Sequence, residues 1–308
     1  MGQDHAPQNR RRSLRAWLTF AGACLLAWLA WASRHELAGM VAACDPALLS
    51  MAVLMGIVFT IAQGSLLAWL LTKQGARHSR REAIAAFLVS QPGKYIPGKI
   101  WSPLMQSVAL KDGATLGGVT IANVELAVIS VVQVFALGLV CLQVNSPAII
   151  ATTVVVATAA CVLIGLLPTT KVVNRISPGL ASLLKLPPTV AHQASPLSAT
   201  LICLAGMASN FAASFLVLKA AGTSIPADAL LPVLAALYLG FAASILAIPV
   251  PAGIGIREFA AAGLGHILAP GIPTTMIVSA ALLFRCWQII VDLACLAVGL
   301  MLARLGRA

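Results

Sequence analysis

Long apolar stretches alternate along the chain with short connections in which charge, proline and glycine collect. The apolar runs fall at residues 16–32, 47–72, 114–142, 148–167, 199–217, 229–248 and 273–302. They are close to or above the ~20 residues that a helix rising ~1.5 Å per residue needs to cross a hydrocarbon core. Two further segments, 83–110 and 249–268, are apolar but interrupted by proline and glycine. The pattern predicts an all-α polytopic integral membrane protein of about seven to eight transmembrane helices, with two re-entrant or discontinuous segments.

The layout expected from these runs is a basic tail (1–15), one membrane domain (16–303) and a short C-terminal tail (304–308). The membrane domain divides into halves 16–167 and 199–303 around a polar loop, 168–198. The run at 16–32 follows Arg10, Arg11 and Arg12 and ends on Ala30-Trp31-Ala32, which resembles a signal-peptidase site. Arg11-Arg12-Ser13-Leu14-Arg15 has a twin-arginine character. The run is longer than a usual signal core, so it is read as an uncleaved first helix.

Composition sharpens this picture. The 308 residues are 60% hydrophobic and 9% charged, whereas a soluble domain carries about 25% charged residues. A water-facing surface cannot be built from that mixture, which excludes a soluble enzyme domain. The net charge of +11 sits mostly in the connections, the distribution of the positive-inside rule and not of a nucleic-acid-binding surface. Arg10, Arg11, Arg12, Arg15, Lys73, Arg77, Arg80, Arg81, Lys111, Lys171, Arg175, Lys185, Arg304 and Arg307 then face the cytoplasm, with Arg34 and Lys219 outside. This places the N-terminus in the cytoplasm. It requires the first broken segment to enter and leave on the cytoplasmic side and the second to cross.

Seven cysteines occur without a CxxC pair or a Cys/His cluster at metal spacing, so neither a metal nor another cofactor is expected. Gly93-Lys94 and Gly98-Lys99 lack the P-loop spacing, and neither G-x-S-x-G nor H-E-x-x-H occurs.

The informative residues are the charges at membrane depth: Lys94, Lys99, Arg257 and Arg285, with the acids Glu125, Glu258 and Asp292. An ionised side chain at the bilayer centre costs about 2.5–3.5 kcal/mol on insertion scales, so these residues are expected to face one another or water. The first break reads Gln91-Pro92-Gly93-Lys94-Tyr95-Ile96-Pro97-Gly98-Lys99-Ile100-Trp101, and the second Pro249-Val250-Pro251-Ala252-Gly253-Ile254-Gly255-Ile256-Arg257-Glu258. Pro97, Gly98, Pro251, Gly253 and Gly255 are the expected backbone breaks. Non-helical backbone at depth needs surrounding protein or a wet cavity, and helices restarting after a break aim N–H groups at an anion. Paired interruptions in two halves point to a transporter's midplane site and to a weak internal duplication. Arg285 and Asp292 are two turns apart on one face, leaving room for a water, a headgroup or a partner such as Glu125. Tyr95 and Trp101 are read as interface anchors, and His266 as a packed or interfacial histidine.

Four motifs in order resemble the flippase-like family named after the transmembrane region of lysylphosphatidylglycerol synthase. They are Pro97-Gly98-Lys99, Asn123-Val124-Glu125, Pro251 to Phe259, and Leu283-Phe284-Arg285. The resemblance implies a protein that moves or handles lipids or lipid-linked groups across the bacterial inner membrane. It implicates Pro97, Gly98, Glu125, Gly253, Gly255, Arg257, Glu258 and Arg285. The acidic and arginine positions that the resemblance leads one to expect after the first Pro-Gly are Ile100 to Ser102 here, and Leu126 follows Glu125 where an arginine is expected.

The expected function is translocation of a lipid or lipid-linked headgroup. Lys94, Lys99, Arg257 and Arg285 hold the anion of a phospholipid or polyprenyl-phosphate carrier, and Glu125, Glu258 and Asp292 set the cavity's charge or carry a proton. No catalytic residue is assigned. The alternative is a membrane-embedded transferase, or an accessory subunit of a glycosyl- or aminoacyl-transferase, in which Glu125 or Glu258 serves as general base. The basic stretch 73–81 is a candidate landing site for such a partner or for anionic lipid.

Overall fold

The computed structural model describes residues 31, 34–96, 100–110, 113–143, 145–176, 179, 182, 195–221, 225–247 and 253–305. The first apolar run, 16–32, lies outside them apart from Trp31, as do Pro97, Gly98, Lys99 and Pro251. The described residues form helices and no strand. In chain order these are α1 (Arg34–Ala42), α2 (Pro46–Lys73), α3 (Arg80–Val89), a 3-10 turn (Gln91–Tyr95), α4 (Trp101–Leu110), α5 (Leu116–Leu142), α6 (Pro147–Leu166), α7 (Thr169–Ile176), α8 (Pro196–Ala220), α9 (Leu230–Leu246), α10 (Ile256–Leu268) and α11 (Thr274–Leu305). Five of them, α2, α5, α6, α8 and α11, are long and apolar enough to span a membrane, and α9 is shorter. The chain is a multi-pass α-helical membrane protein.

Local chemistry sets several of the helix starts. Asp45 caps α2 by accepting from the N–H groups of Ala47 (2.8 Å) and Leu48 (3.3 Å), with Pro46 in the first turn where its missing donor costs nothing. Ser79 and Glu82 form a reciprocal capping box at α3. Glu258 reaches back to the N–H of Gly255 at 3.1 Å to start α10.

Contacts fix the helix directions. Asp45 N–H bonds to Ala220 O at 2.8 Å, and Gly206 packs beside Ala62, so α2 and α8 run antiparallel through the broadest helix contact of the bundle. Gln63 meets Gln133 and Lys73 meets Glu125, which makes α2 and α5 antiparallel. Arg81 bonds to Leu302 O at 3.1 Å, Leu88 and Val89 pack on Gly299, and Lys94 reaches Asp292. The helix α11 therefore runs against α3 and ends on the side where α2 ends.

The first broken segment is the re-entrant hairpin that the sequence predicts. Arg77 N–H bonds to Gly113 O at 2.6 Å and closes its base, while its turn reaches the middle of α11. The second broken segment does not cross by itself, which corrects the expectation for 249–268. Ser244 lies against Gly253 and Gly240 against the backbone of Arg257 and Ala261, so α10 folds back along α9. At ~1.5 Å per residue, the 17 residues of α9 and 13 of α10 are each shorter than a ~30 Å hydrocarbon core. Together they form a second hairpin, entering from the face opposite to the first. The apolar run 229–248 is thus one arm of a re-entrant element.

The two halves consequently follow one plan with opposite direction. Helix α8 answers α2, hairpin α9–α10 answers hairpin α3–α4, and α11 answers α5. Hairpin α3–α4 packs on α11 and α9–α10 packs on α5; α1 lies on α11 as α6 lies on α5. This is the arrangement of an inverted repeat and gives the predicted duplication a concrete form.

Exposed Arg77, Arg80, Arg81, Lys171, Arg175 and Arg304 gather at the end where α2, α6 and α11 finish. The opposite end carries Arg34 and Lys219 together with Asp45 and Asp228.

Candidate functional site

Both hairpins bring their turns to the middle of α11, whose 32 residues extend about 48 Å. Asp292 there accepts from Lys94 Nζ at 2.7 Å and from the Tyr95 hydroxyl at 2.6 Å, both from the turn of the first hairpin. Two turns earlier, Arg285 Nε donates to Glu258 Oε1 at 2.7 Å, and its terminal nitrogen lies 3.4 Å from Gly253 O in the second hairpin. Both oxygens of Glu258 are thus engaged, one by Arg285 and one by Gly255 N–H. Gly253 and Gly255 have φ of 61° and 81°, left-handed backbone that other residues resist. A Cβ at Gly253 would stand 2.4 Å from that of Ser244. The glycines therefore permit both the reversal and the carbonyl position that Arg285 uses.

Arg257 is the exception in the cluster. It is 6% exposed, and among the described residues no carboxylate lies within 4.0 Å of it. Its guanidinium lies 4.9 Å from the ring centre of Phe241 and 5.8 Å from that of Phe284, and it donates to Gln288 Oε1 at 2.9 Å. Its Nε has no hydrogen-bond partner among the described residues. Aromatic faces hold a cation without neutralising it. Among the described residues, Lys94, Arg257 and Arg285 thus share two carboxylates, which leaves one positive charge over.

Of the residues singled out from sequence, Lys94, Arg257, Arg285, Glu258, Asp292, Gly253 and Gly255 converge here. Lys99, Pro97, Gly98 and Pro251 lie outside the described residues. Glu125 does not join them. It accepts from Lys73 Nζ at 2.6 Å and from the Thr169 hydroxyl, and Lys73 also donates to Leu167 O at 3.0 Å. This second buried cluster ties α2, α5 and the α6–α7 corner together and replaces the suggested partnership of Glu125 with Arg285 and Asp292. Lys73, read as a cytoplasmic connection residue, closes α2 with only 4% of its side chain exposed. A lysine ending an apolar run shows no sign in sequence of the carboxylate that will claim it.

Tyr95, expected as an interface anchor, instead stands within the break beside Lys94 and donates to Asp292, which corrects that reading. Sequence reasoning missed Gln288, which has no signal beyond its place one turn after Arg285. A neutral network was missed as well. In the first hairpin Ser102 donates to Ser90 O at 3.0 Å, Gln106 donates to the Ser90 hydroxyl at 2.9 Å, and Asn123 Nδ2 donates to Gln106 Oε1 at 2.7 Å. Amides hold this hairpin to α5 where Glu258 and Arg285 hold the other to α11.

A lateral groove of about 620 Å³ between α5 and α6 is lined by residues such as Val132, Phe135, Ile149 and Val156, with no charged side chain. It offers alkyl surface and no polar chemistry beyond Thr152 and Thr153. No group of three metal-ligating side chains occurs among the described residues.

Neither a curated protein nor a solved structure matches the chain. The family model described as lysylphosphatidylglycerol synthase TM region matches residues 15–295, nearly the whole length, and the chain is a member of that family.

Proposed function

We propose that the protein translocates a lipid or lipid-linked headgroup, holding its anionic group at Arg257 while the tails stay in the bilayer. The observation that carries this reading is the unneutralised, buried guanidinium of Arg257, with its Nε unpartnered, beside two turns that break the membrane helices. A buried cation without a carboxylate is costly, and the phosphate of a phospholipid or polyprenyl-phosphate carrier supplies the missing charge. Lys94 and Arg285 are already paired, so their part is to hold the two hairpins on α11 around that anion. The inverted plan of the halves supports transport over catalysis, because a midplane site between inverted repeats can be opened to either face in turn. The positive-inside rule supports a cytoplasmic position for the basic end of the bundle, and a bacterial inner membrane is part of the same reading.

The test uses purified full-length protein in liposomes containing headgroup-labelled phosphatidylglycerol or a polyprenyl phosphate, with leaflet exposure followed by a membrane-impermeant quencher. One of these lipids should exchange at least ~10-fold faster than in protein-free vesicles, with Arg257→Leu returning to the background rate and Arg257→Lys retaining part of it. Exchange by the leucine variant at the parent rate removes Arg257 from the mechanism.

A further inference from the structure

Away from the charged cluster, three buried polar atoms on three helices have no partner among the described residues: Gln63 Oε1 on α2, Gln133 Nε2 on α5 and Thr158 Oγ1 on α6. Their residues are 5%, 2% and 5% exposed. The two amides meet, with Gln63 Nε2 donating to Gln133 Oε1 at 2.9 Å. That bond uses one donor group and one acceptor, and leaves the remaining group of each amide bare. Turning both amides over only exchanges which glutamine holds the orphan donor and which the orphan acceptor.

Helix register brings the third atom to the same level. Cys161 on α6 donates from Sγ to Ile129 O on α5 at 3.8 Å. Because α5 and α6 run antiparallel, Thr158, one turn before Cys161, lies level with the turn after Ile129, where Gln133 stands. Cys203 of α8 borders Gln133, but a thiol is a weak partner and Gln133 Nε2 makes no hydrogen bond of acceptable geometry with it.

The three groups are one acceptor, one donor and one hydroxyl able to act as either. That is the complement of a single water molecule, which bonds to about three polar groups when buried. A cation does not suit the site: no carboxylate belongs to the set, and an uncompensated charge in hydrocarbon is unfavourable. We propose that α2, α5 and α6 enclose a structural water at membrane depth, bound by Gln63, Gln133 and Thr158 and separate from the headgroup site. This water gives α6, the least enclosed of the five spans, a fixed rotation and depth against the bundle that alkyl contacts alone do not specify.

The sign of one substitution tests the site. Thr158→Val keeps the shape and removes the hydroxyl, and thermal unfolding of the full chain is followed in a single detergent. With water present, the variant takes away one of its partners and Tm falls by several degrees. In a dry site it removes an unsatisfied hydroxyl, and Tm rises. An unchanged or raised Tm overturns the proposal. A second measurement combines Gln63→Met with Thr158→Val. These side chains make no direct hydrogen bond, so a double-variant loss smaller than the sum of the single losses reports a shared bridging molecule, and strict additivity overturns it. Neither readout depends on lipid transport, so the outcome is independent of the proposed function.

Discussion

Hairpin α3–α4 and hairpin α9–α10 interrupt the membrane at similar depth from opposite faces, yet they are held by different chemistry. The first is tied to α5 by a neutral network of Ser90, Ser102, Gln106 and Asn123 and touches α11 through Lys94 and Tyr95 on Asp292. The second is tied to α11 by an ion pair whose carboxylate is completely buried. The Lys94 side chain is 29% exposed, and that of Arg285 12%. One plan therefore produces an amide-locked arm whose cation is partly exposed and a charge-locked arm whose carboxylate is sealed in protein, and the spare cation Arg257 belongs to the sealed one. A charge can stay unneutralised only where nearby groups shield it from hydrocarbon, and Phe241, Phe284 and Gln288 do so on that side.

The largest expected difference between the two hairpins comes from substitution at Glu258. Glu258→Leu leaves Arg285 buried without a partner and should destabilise the protein by about 3–5 kcal/mol, read as a fall in Tm in detergent. Equal destabilisation by Asp292→Leu would erase the distinction between a sealed and a partly exposed arm. The expected loss for Asp292→Leu is smaller, about 1–3 kcal/mol, because the Lys94 side chain is already 29% exposed and its flexible stem can carry the ammonium out of the protein interior once released. Gly240→Val tests the close approach of α9 to α10. A Cβ there would stand 2.8 Å from Arg257 O, and overpacking of this kind costs about 1–3 kcal/mol. It should also slow lipid exchange by displacing Arg257, whereas the same volume added at exposed Gly263 should leave both Tm and exchange unchanged. The smallest effect is expected in the neutral arm. Gln106→Leu alone removes Asn123's side-chain partner, leaving its Nδ2 only Val119 O, and should cost about 1–2 kcal/mol, while Gln106→Leu with Asn123→Leu should cost less than the single change. A double variant worse than the single one would show that these amides do more than satisfy each other.

The membrane character and the two breaks could be read directly from the chain, because hydropathy and proline-glycine interruptions are one-dimensional signals. The residues that matter at depth were legible for the same reason: Arg257, Glu258, Arg285 and Asp292 stand out from apolar surroundings. Membership of the family, matched over residues 15–295, follows from motifs whose order the sequence displays. Less legible was the hairpin nature of the second break. Its arms α9 and α10 differ from spanning helices only by a few residues of length, and it is the backbone contact at Gly240 that shows them folded together.

Pairing was decided by tertiary structure alone. Lys94 and Asp292 are 198 positions apart, and Lys73 and Glu125 are 52 apart; nothing local links them. Glu125 sits at the depth expected of a cavity acid, and only the packing of α2 against α5 gives it to Lys73 instead of Arg285. What composition and periodicity determine is how many charges the hydrocarbon must accommodate and roughly where along each helix they fall. Which of them cancel, and which one is left over to meet an anion, depends on the helix faces that meet, since electrostatic pairing acts through space over a few ångströms while sequence records only order along the chain.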